Sequence, residues 1–266
     1  MRASQAYLLI SSFCAMGMTF ALPAAFPLVL EPARAVAQVA PDTTPRMPGQ
    51  EQRPELPQSG AYLAGDTTRF TLDRYRDLER LRFSGNDEIY YLTIEPAALG
   101  GRVLKYDSGD VALQVAGWGG VTLYTREKPD GIPAERLGEL AAQAEGGLAT
   151  PDAKTLAQRL SEEIQSRTGL TIGFRANWEA LNQSDVTRAL ATDALRNATL
   201  AIERAATSRK LGQQVFAQFT IVRIVLASDS SAAIGDKLLT VHIAPPRGLA
   251  GRPSSLALLK VIREKL

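Results

Sequence analysis

The residues with the strongest claim to chemistry lie near the carboxy terminus: Arg247, Gly248, Gly251, Arg252, Ser254 and Ser255. Two arginines flank a glycine-containing run, and Pro253-Ser254-Ser255 opens an apolar stretch with Leu256, Leu259 and Ile262 at helical spacing. The unpaired N–H groups and positive dipole end of a helix start suit an anion, a carboxylate or a phosphate. The competing reading is a capped turn with two surface arginines. His242, the sole histidine, can act as a general base beside a serine. No G-x-S-x-G elbow or H-E-x-x-H pair accompanies it, so a structural role is expected. Asp87, Glu88, Glu95, Glu162 and Glu163 offer a glycosidase-type pair only if two of them face each other across a cleft at about 5 to 10 Å. Asp107 and Asp110 end one turn; turn chemistry accounts for them better than Ca²⁺, which takes about six oxygens or more.

Metal and cofactor chemistry has little else to draw on. Cys14 is the only cysteine, and one histidine cannot supply a His-rich site. The phosphate loop G-x-x-x-x-G-K-[ST] is absent. No cofactor and no metal is expected. Trp118 sits in the turn Gly117-Trp118-Gly119-Gly120. It either contacts a ligand, glycan or partner, or folds back over the sheet edge; because large rings are mostly buried, the second is expected.

These side chains must be held by elements that hydrophobic patterning makes visible. From Ile89 to Thr125 four short runs rich in β-branched and aromatic residues alternate with turn residues, which predicts an antiparallel β-meander. Val111, Leu113 and Val115 should share one face, with Ala112 and Gln114 on the other. A meander alone is marginal, so helices later in the chain should cover it. Phe70–Leu72 reads as a short strand, or Leu72, Tyr75 and Leu78 as a helical face. Pro133 is placed to open a helix carrying Leu137, Leu140, Ala141 and Ala144, stopped by Gly146-Gly147. Further helices are expected from Asp152 to a C-cap at Gly169 and from an N-cap at Ser184 to about Arg209. Leu170–Phe174 and Leu238–Ile243 read as strands, and Val215–Leu226 as a helical turn followed by a strand from about Thr220.

The amino terminus has the pattern of an export signal. Arg2 precedes an apolar stretch from Ala6 to Leu30, followed by the A-x-A sites Ala33-Arg34-Ala35 and Ala35-Val36-Ala37. An uncleaved anchor is the alternative, since the stretch is long enough to cross a bilayer. Val39 to Gly65 carries five prolines and few large apolar residues, as a tether does. A formal charge of +2 with no Lys/Arg cluster argues against nucleic acid.

Arg102 to Leu113, followed by Gly119 to Tyr124, resembles an uncharacterised family of exported Gram-negative bacterial proteins, as does the Gly248 to Ser255 run. The resemblance implies export and overall layout, and supplies no activity and no catalytic residue.

The expectation is therefore an α+β fold: an antiparallel β-meander followed by a helix–strand half. The layout is a signal peptide over 1–35, a Pro-rich linker over 36–65, the meander over 66–130 and the α+β region over 131–266, the last two in one core or two. The expected function is a non-catalytic binding or structural component of the bacterial envelope, in the periplasm, with an envelope protein or glycan as partner. Membrane contact is expected only through an uncleaved signal. The alternatives are a carboxylate-dependent hydrolase of cell-wall or polysaccharide material, and a small-anion binder at Arg247 and Arg252.

Overall fold

A computed structural model describes residues 56–139 and 151–266. Strands β1 (Gly60–Ala64), β2 (Thr68–Tyr75), β3 (Leu78–Phe83), β4 (Ile89–Pro96), β5 (Arg102–Lys105), β6 (Val111–Val115), β7 (Val121–Leu123) and β8 (Ile132–Gly138) pair in chain order, and β8 returns to β1 to close a barrel. The four runs read from residues 89 to 125 are β4 to β7. Their arrangement is not an open meander awaiting a cover. A ring of eight strands encloses a space that side chains just fill, so the apolar face covers itself. Phe70, Leu72, Leu81, Leu92, Leu104, Leu113 and Leu123 fill it and are essentially inaccessible. Aromatic rings run through this interior: Tyr62 stacks on Phe70 at 5.1 Å, and Phe83, Tyr90 and Tyr106 follow edge to face.

Four expectations about this half are corrected. The tether assigned to 36–65 ends earlier, because Gly60–Ala64 is the first barrel strand. Its small residues hide it; among its residues only Tyr62 and Leu63 are large. Leu72, Tyr75 and Leu78 do not share a helix face: they lie on two strands joined by a turn with Arg76 at φ 56°. Pro133 does not open a helix. Ile132–Gly138 is β8, hydrogen-bonded between β7 and β1, and the Pro133 carbonyl accepts from Gly65 N–H at 3.2 Å. The Ala-Glu-Arg-Leu composition of this stretch favours a helix locally, and two flanking strands override it. Finally, Ala112 is buried and Val111 exposed. Leu113 pairs with Leu104 but Val111 with Lys105, so Ala112 is the extra residue of a β-bulge and the alternation resets there.

Glu79 departs from the apolar interior. It alternates inward with Leu81 and is 2 % exposed. Its Oε1 accepts from Arg74 at 2.8 Å, and Oε2 has no partner. Burial pushes its carboxyl above the ordinary value of 4.5, against the opposing pull of Arg74. A carboxyl raised in the fold contributes stability at low pH that is lost as pH climbs from 4.5 through the higher folded value. Glu79→Gln is therefore expected to raise stability at pH 7 by about 1 kcal/mol and to flatten the acid side of the stability profile. Thermal melts of both proteins from pH 4 to pH 8 check this; parallel profiles would refute it.

The second half surrounds a four-stranded sheet. α1 (Ala153–Thr168) is capped by Asp152, whose carboxylate accepts from Thr155 N–H, and ends at Gly169 with φ 73°. There follow β9 (Gly173–Ala176), α2 (Trp178–Asn182), α3 (Asp185–Ala205), α4 (Arg209–Gln218), β10 (Ile221–Leu226), β11 (Ser231–Gly235), β12 (Leu238–Ile243) and α5 (Ser255–Arg263). The order is β11-β12-β10-β9, with β10 parallel to both neighbours and β11 antiparallel to β12. Ser184 caps α3 through a reciprocal pair with Thr187. Leu156, Leu160, Ile164, Leu195, Ala198 and Ile202 bury the predicted faces of α1 and α3 against this sheet. The Leu170–Phe174 strand is displaced to Gly173–Ala176, and the helix ahead of β10 is longer than one turn. The leader, Cys14, the linker before residue 56 and the helix positions Leu140, Ala141, Ala144, Gly146 and Gly147 lie outside the described residues.

Candidate functional site

Two arrangements gather the residues with chemical potential: a polar junction where α5 meets the barrel, and a cluster of exposed apolar side chains on another part of the barrel.

At the junction α5 meets an anion, as helix starts do, and the anion belongs to the chain itself. Ser254 N–H donates to Asp107 Oδ2 at 2.6 Å and its hydroxyl to Oδ1. Ser255 N–H donates to Glu88 Oε1 at 2.7 Å and its hydroxyl to Oε2 at 2.6 Å. Glu88 Oε2 also accepts from Tyr90 Oη at 2.7 Å, and Arg204 of α3 stands 3.8 Å away while donating to Ser255 Oγ. Lys260 donates to the Ser108 carbonyl at 2.8 Å. Asp107 remains partly open to solvent; desolvation on its α5 side pushes its carboxyl up, opposed by its bonds from Ser254. The Tyr90 hydroxyl is pushed up to about 12, chiefly by burial with the Glu88 charge adding.

The six residues singled out between 247 and 255 therefore separate. Arg252 is 4 % exposed. Its guanidinium donates to the Ile89 carbonyl at 2.7 Å, reaches Asp193 at 3.4 Å and lies over the Tyr91 ring at 5.3 Å from the centroid. It pins β4 to α3, and the reading of Arg252 as a surface arginine gives way to that role. Arg247 is exposed on the turn Pro245–Ala250. Gly248 takes φ 61° and sits against Tyr75, whose hydroxyl accepts from Leu249 N–H at 3.0 Å. Gly251 is required by space, since a Cβ there would run into the Ala244 carbonyl. Ser254 and Ser255 are buried at the junction. Leu256 packs into the barrel cluster, whereas Leu259 and Ile262 join the sheet core, so α5 serves both cores at once.

The carboxylates considered as a hydrolytic pair are partly brought together. Asp87, Glu88, Glu162 and Glu163 line one groove of about 1150 Å³ between the β3–β4 turn, α1 and α3. Glu88 faces the junction and Glu163 pairs with Arg167 at 2.6 Å. Glu95 lies elsewhere, paired with Lys105 at 2.5 Å. His242 shares a bond of 3.0 Å with Ser231 Oγ on β11. Asp110 accepts from the Ser108 hydroxyl within its own turn. Among the described residues no group of His, Cys, Asp and Glu is placed to hold a metal ion.

The second arrangement corrects the expectation for Trp118. Its indole is not folded over the sheet edge; the residue is 83 % exposed. The β6–β7 turn that carries it packs against the β4–β5 connection, where a Cβ on Gly117 would strike the Leu99 carbonyl oxygen. Leu99, which nothing in the sequence analysis picked out, is 90 % exposed and has φ 55° and ψ 33°. A left-handed backbone disfavours a Leu, and a solvated Leu side chain gives nothing back locally. The available signal was a lone large apolar residue just before Gly100-Gly101 in a strand connection.

A family model described as a domain of unknown function, DUF4908, matches residues 42–262. The chain belongs to that family. The DUF4908 match takes in the barrel, the sheet and the junction between them. No curated protein and no solved structure matches this DUF4908 chain.

Proposed function

We propose that the protein is a non-catalytic binding component of the bacterial envelope, exported by its amino-terminal leader, and that it makes contact through Leu99 and Trp118. The observation that carries this reading is the pairing of two almost fully exposed large apolar residues on adjoining turns, one of them in a left-handed backbone. Isolated exposed apolar residues are ordinary; neighbouring ones held at a conformational cost mark a contact surface. Support for export comes from the apolar stretch and A-x-A sites of residues 6–37.

The test uses the full chain and a Leu99→Ser/Trp118→Ser variant as bait on an isolated envelope fraction. Both side chains are solvated, so the variant should melt within a few degrees of the parent. The parent should retain envelope material at least about tenfold better, as the loss of two apolar anchors implies. Equal retention would remove the reading. Turnover of a polysaccharide, lost on Glu162→Gln, would replace it with the hydrolase.

A further inference from the structure

The contact surface extends beyond Leu99 and Trp118. In an antiparallel barrel successive connections alternate between the two ends. The β3–β4 and β5–β6 turns, which carry Glu88 and Asp107 to α5, lie at one end. The β2–β3, β4–β5 and β6–β7 connections, the start of β1 and the end of β8 lie at the other, where the β2–β3 turn is docked on Pro245–Ala250 through Tyr75 and Arg76 and the remaining stations are free of that contact. That second end carries Leu99, Trp118 and Leu137, the last at 52 % exposure, and the chain enters it from Leu56, four residues ahead of β1 and 36 % exposed. Leu137 continues the outward-facing series of Pro133 and Glu135 on β8, next to a bulge at which Gly138 pairs with Ala61 but Arg136 with Tyr62. Going round the barrel, β4–β5, β6–β7 and the β8–β1 seam are successive stations, so these side chains follow one arc of the rim.

The chemistry of the arc indicates what covers it. Its residues are knobs on separate connections. A protein partner would need matching pockets over roughly 800 Å² of its own surface. A fluid apolar layer conforms to knobs without prior shape. Tryptophan at the level of lipid headgroups, with aliphatic side chains beside it, is the usual composition of a membrane-surface contact. The chain also reaches this rim from its apolar stretch: residues 6–30 connect through 31–55 to Leu56, at the start of β1. In the uncleaved form, that stretch would hold the rim at high effective concentration over the lipid. Among the described residues no helix is long and apolar enough to cross a membrane.

We propose that this end of the barrel rests on a lipid bilayer, with Leu99 and Trp118 among the headgroups and Leu137 and Leu56 completing the footprint. The proposal rests on the binding reading above and names the lipid surface as the partner. The chain has two tryptophans, and Trp178 packs against the sheet core. Full chain carrying Trp178→Phe therefore reports Trp118 alone. On vesicles of phosphatidylethanolamine and phosphatidylglycerol its emission should move to shorter wavelength and be quenched by lipids brominated along the acyl chain. Adding Leu99→Asp should return the emission to its value in buffer, even while the leader keeps the protein sedimenting with the vesicles. Trp118→Phe, which leaves Trp178, gives emission indifferent to lipid and serves as a second measurement if Trp178→Phe melts early. Emission of Trp118 unchanged by vesicles overturns the lipid assignment, whether or not the protein sediments with them. If it then shifts on adding solubilised envelope proteins, the binding reading survives with a protein partner; if it shifts with neither, both readings fall.

Discussion

Arg252→Ala is expected to lower the unfolding free energy by about 3 kcal/mol, measured by denaturant titration at pH 7. The side chain is 2 % exposed and makes three contacts on two elements: the Ile89 carbonyl and the Tyr91 ring of β4, and Asp193 of α3. Its removal leaves a carbonyl without its donor and a void the size of a guanidinium under α5. Asp193 is a third exposed and will be solvated, which keeps the loss below that of a fully buried pair. Arg252→Lys should recover only part, because an ammonium cannot reach the carbonyl and the carboxylate in one planar fork. A loss under 1 kcal/mol for the alanine variant would mean that the guanidinium is not the pin between barrel and sheet.

Glu88→Ala should cost more, about 3 to 5 kcal/mol. The Glu88 side chain has no solvent exposure, and its oxygens accept from Ser255 N–H, Ser255 Oγ and Tyr90 Oη. Without it those donors are buried beside Arg204, and the start of α5 loses the charge that complements its dipole. Glu88→Gln keeps the shape but replaces one accepting oxygen by a donor, so it should fall between the two. Loss of near-ultraviolet circular dichroism at a lower denaturant concentration than in Asp110→Ala would separate this effect from that of any acidic surface residue. Matching midpoints would show the Glu88 contacts to be dispensable.

Short-range information was readable in the chain. Ser184 and Asp152 cap helices where their side chains suggested, Gly169 ends α1, and the β-branched runs from Ile89 to Leu123 are strands. Closure of the barrel was hidden. It depends on Gly60–Ala64 meeting Ile132–Gly138, two segments whose own composition suggests a tether and a helix. Only the partner strand makes either extended. The site divides the same way. A helix start prepared for an anion could be read from Pro253-Ser254-Ser255, but its occupants are Asp107 and Glu88, 147 and 167 positions away along the chain. Trp118 was legible as a candidate, and Leu99 was not, because a single Leu in a connection carries no period. Its significance comes from the neighbouring turn.

The capping of α5 by the two turns has a consequence for biosynthesis. Those turns emerge from the ribosome long before Ser254 and Ser255, so Glu88 faces water and both carboxylates lack these donors until α5 forms. α5 acts as a latch that closes over turns made long before it. A product truncated before residue 252 would leave Glu88 and Asp107 without their donors and β4 unpinned, and would bare the apolar wall covered by Leu258, Leu259 and Ile262, features that proteases use to select incomplete chains for degradation.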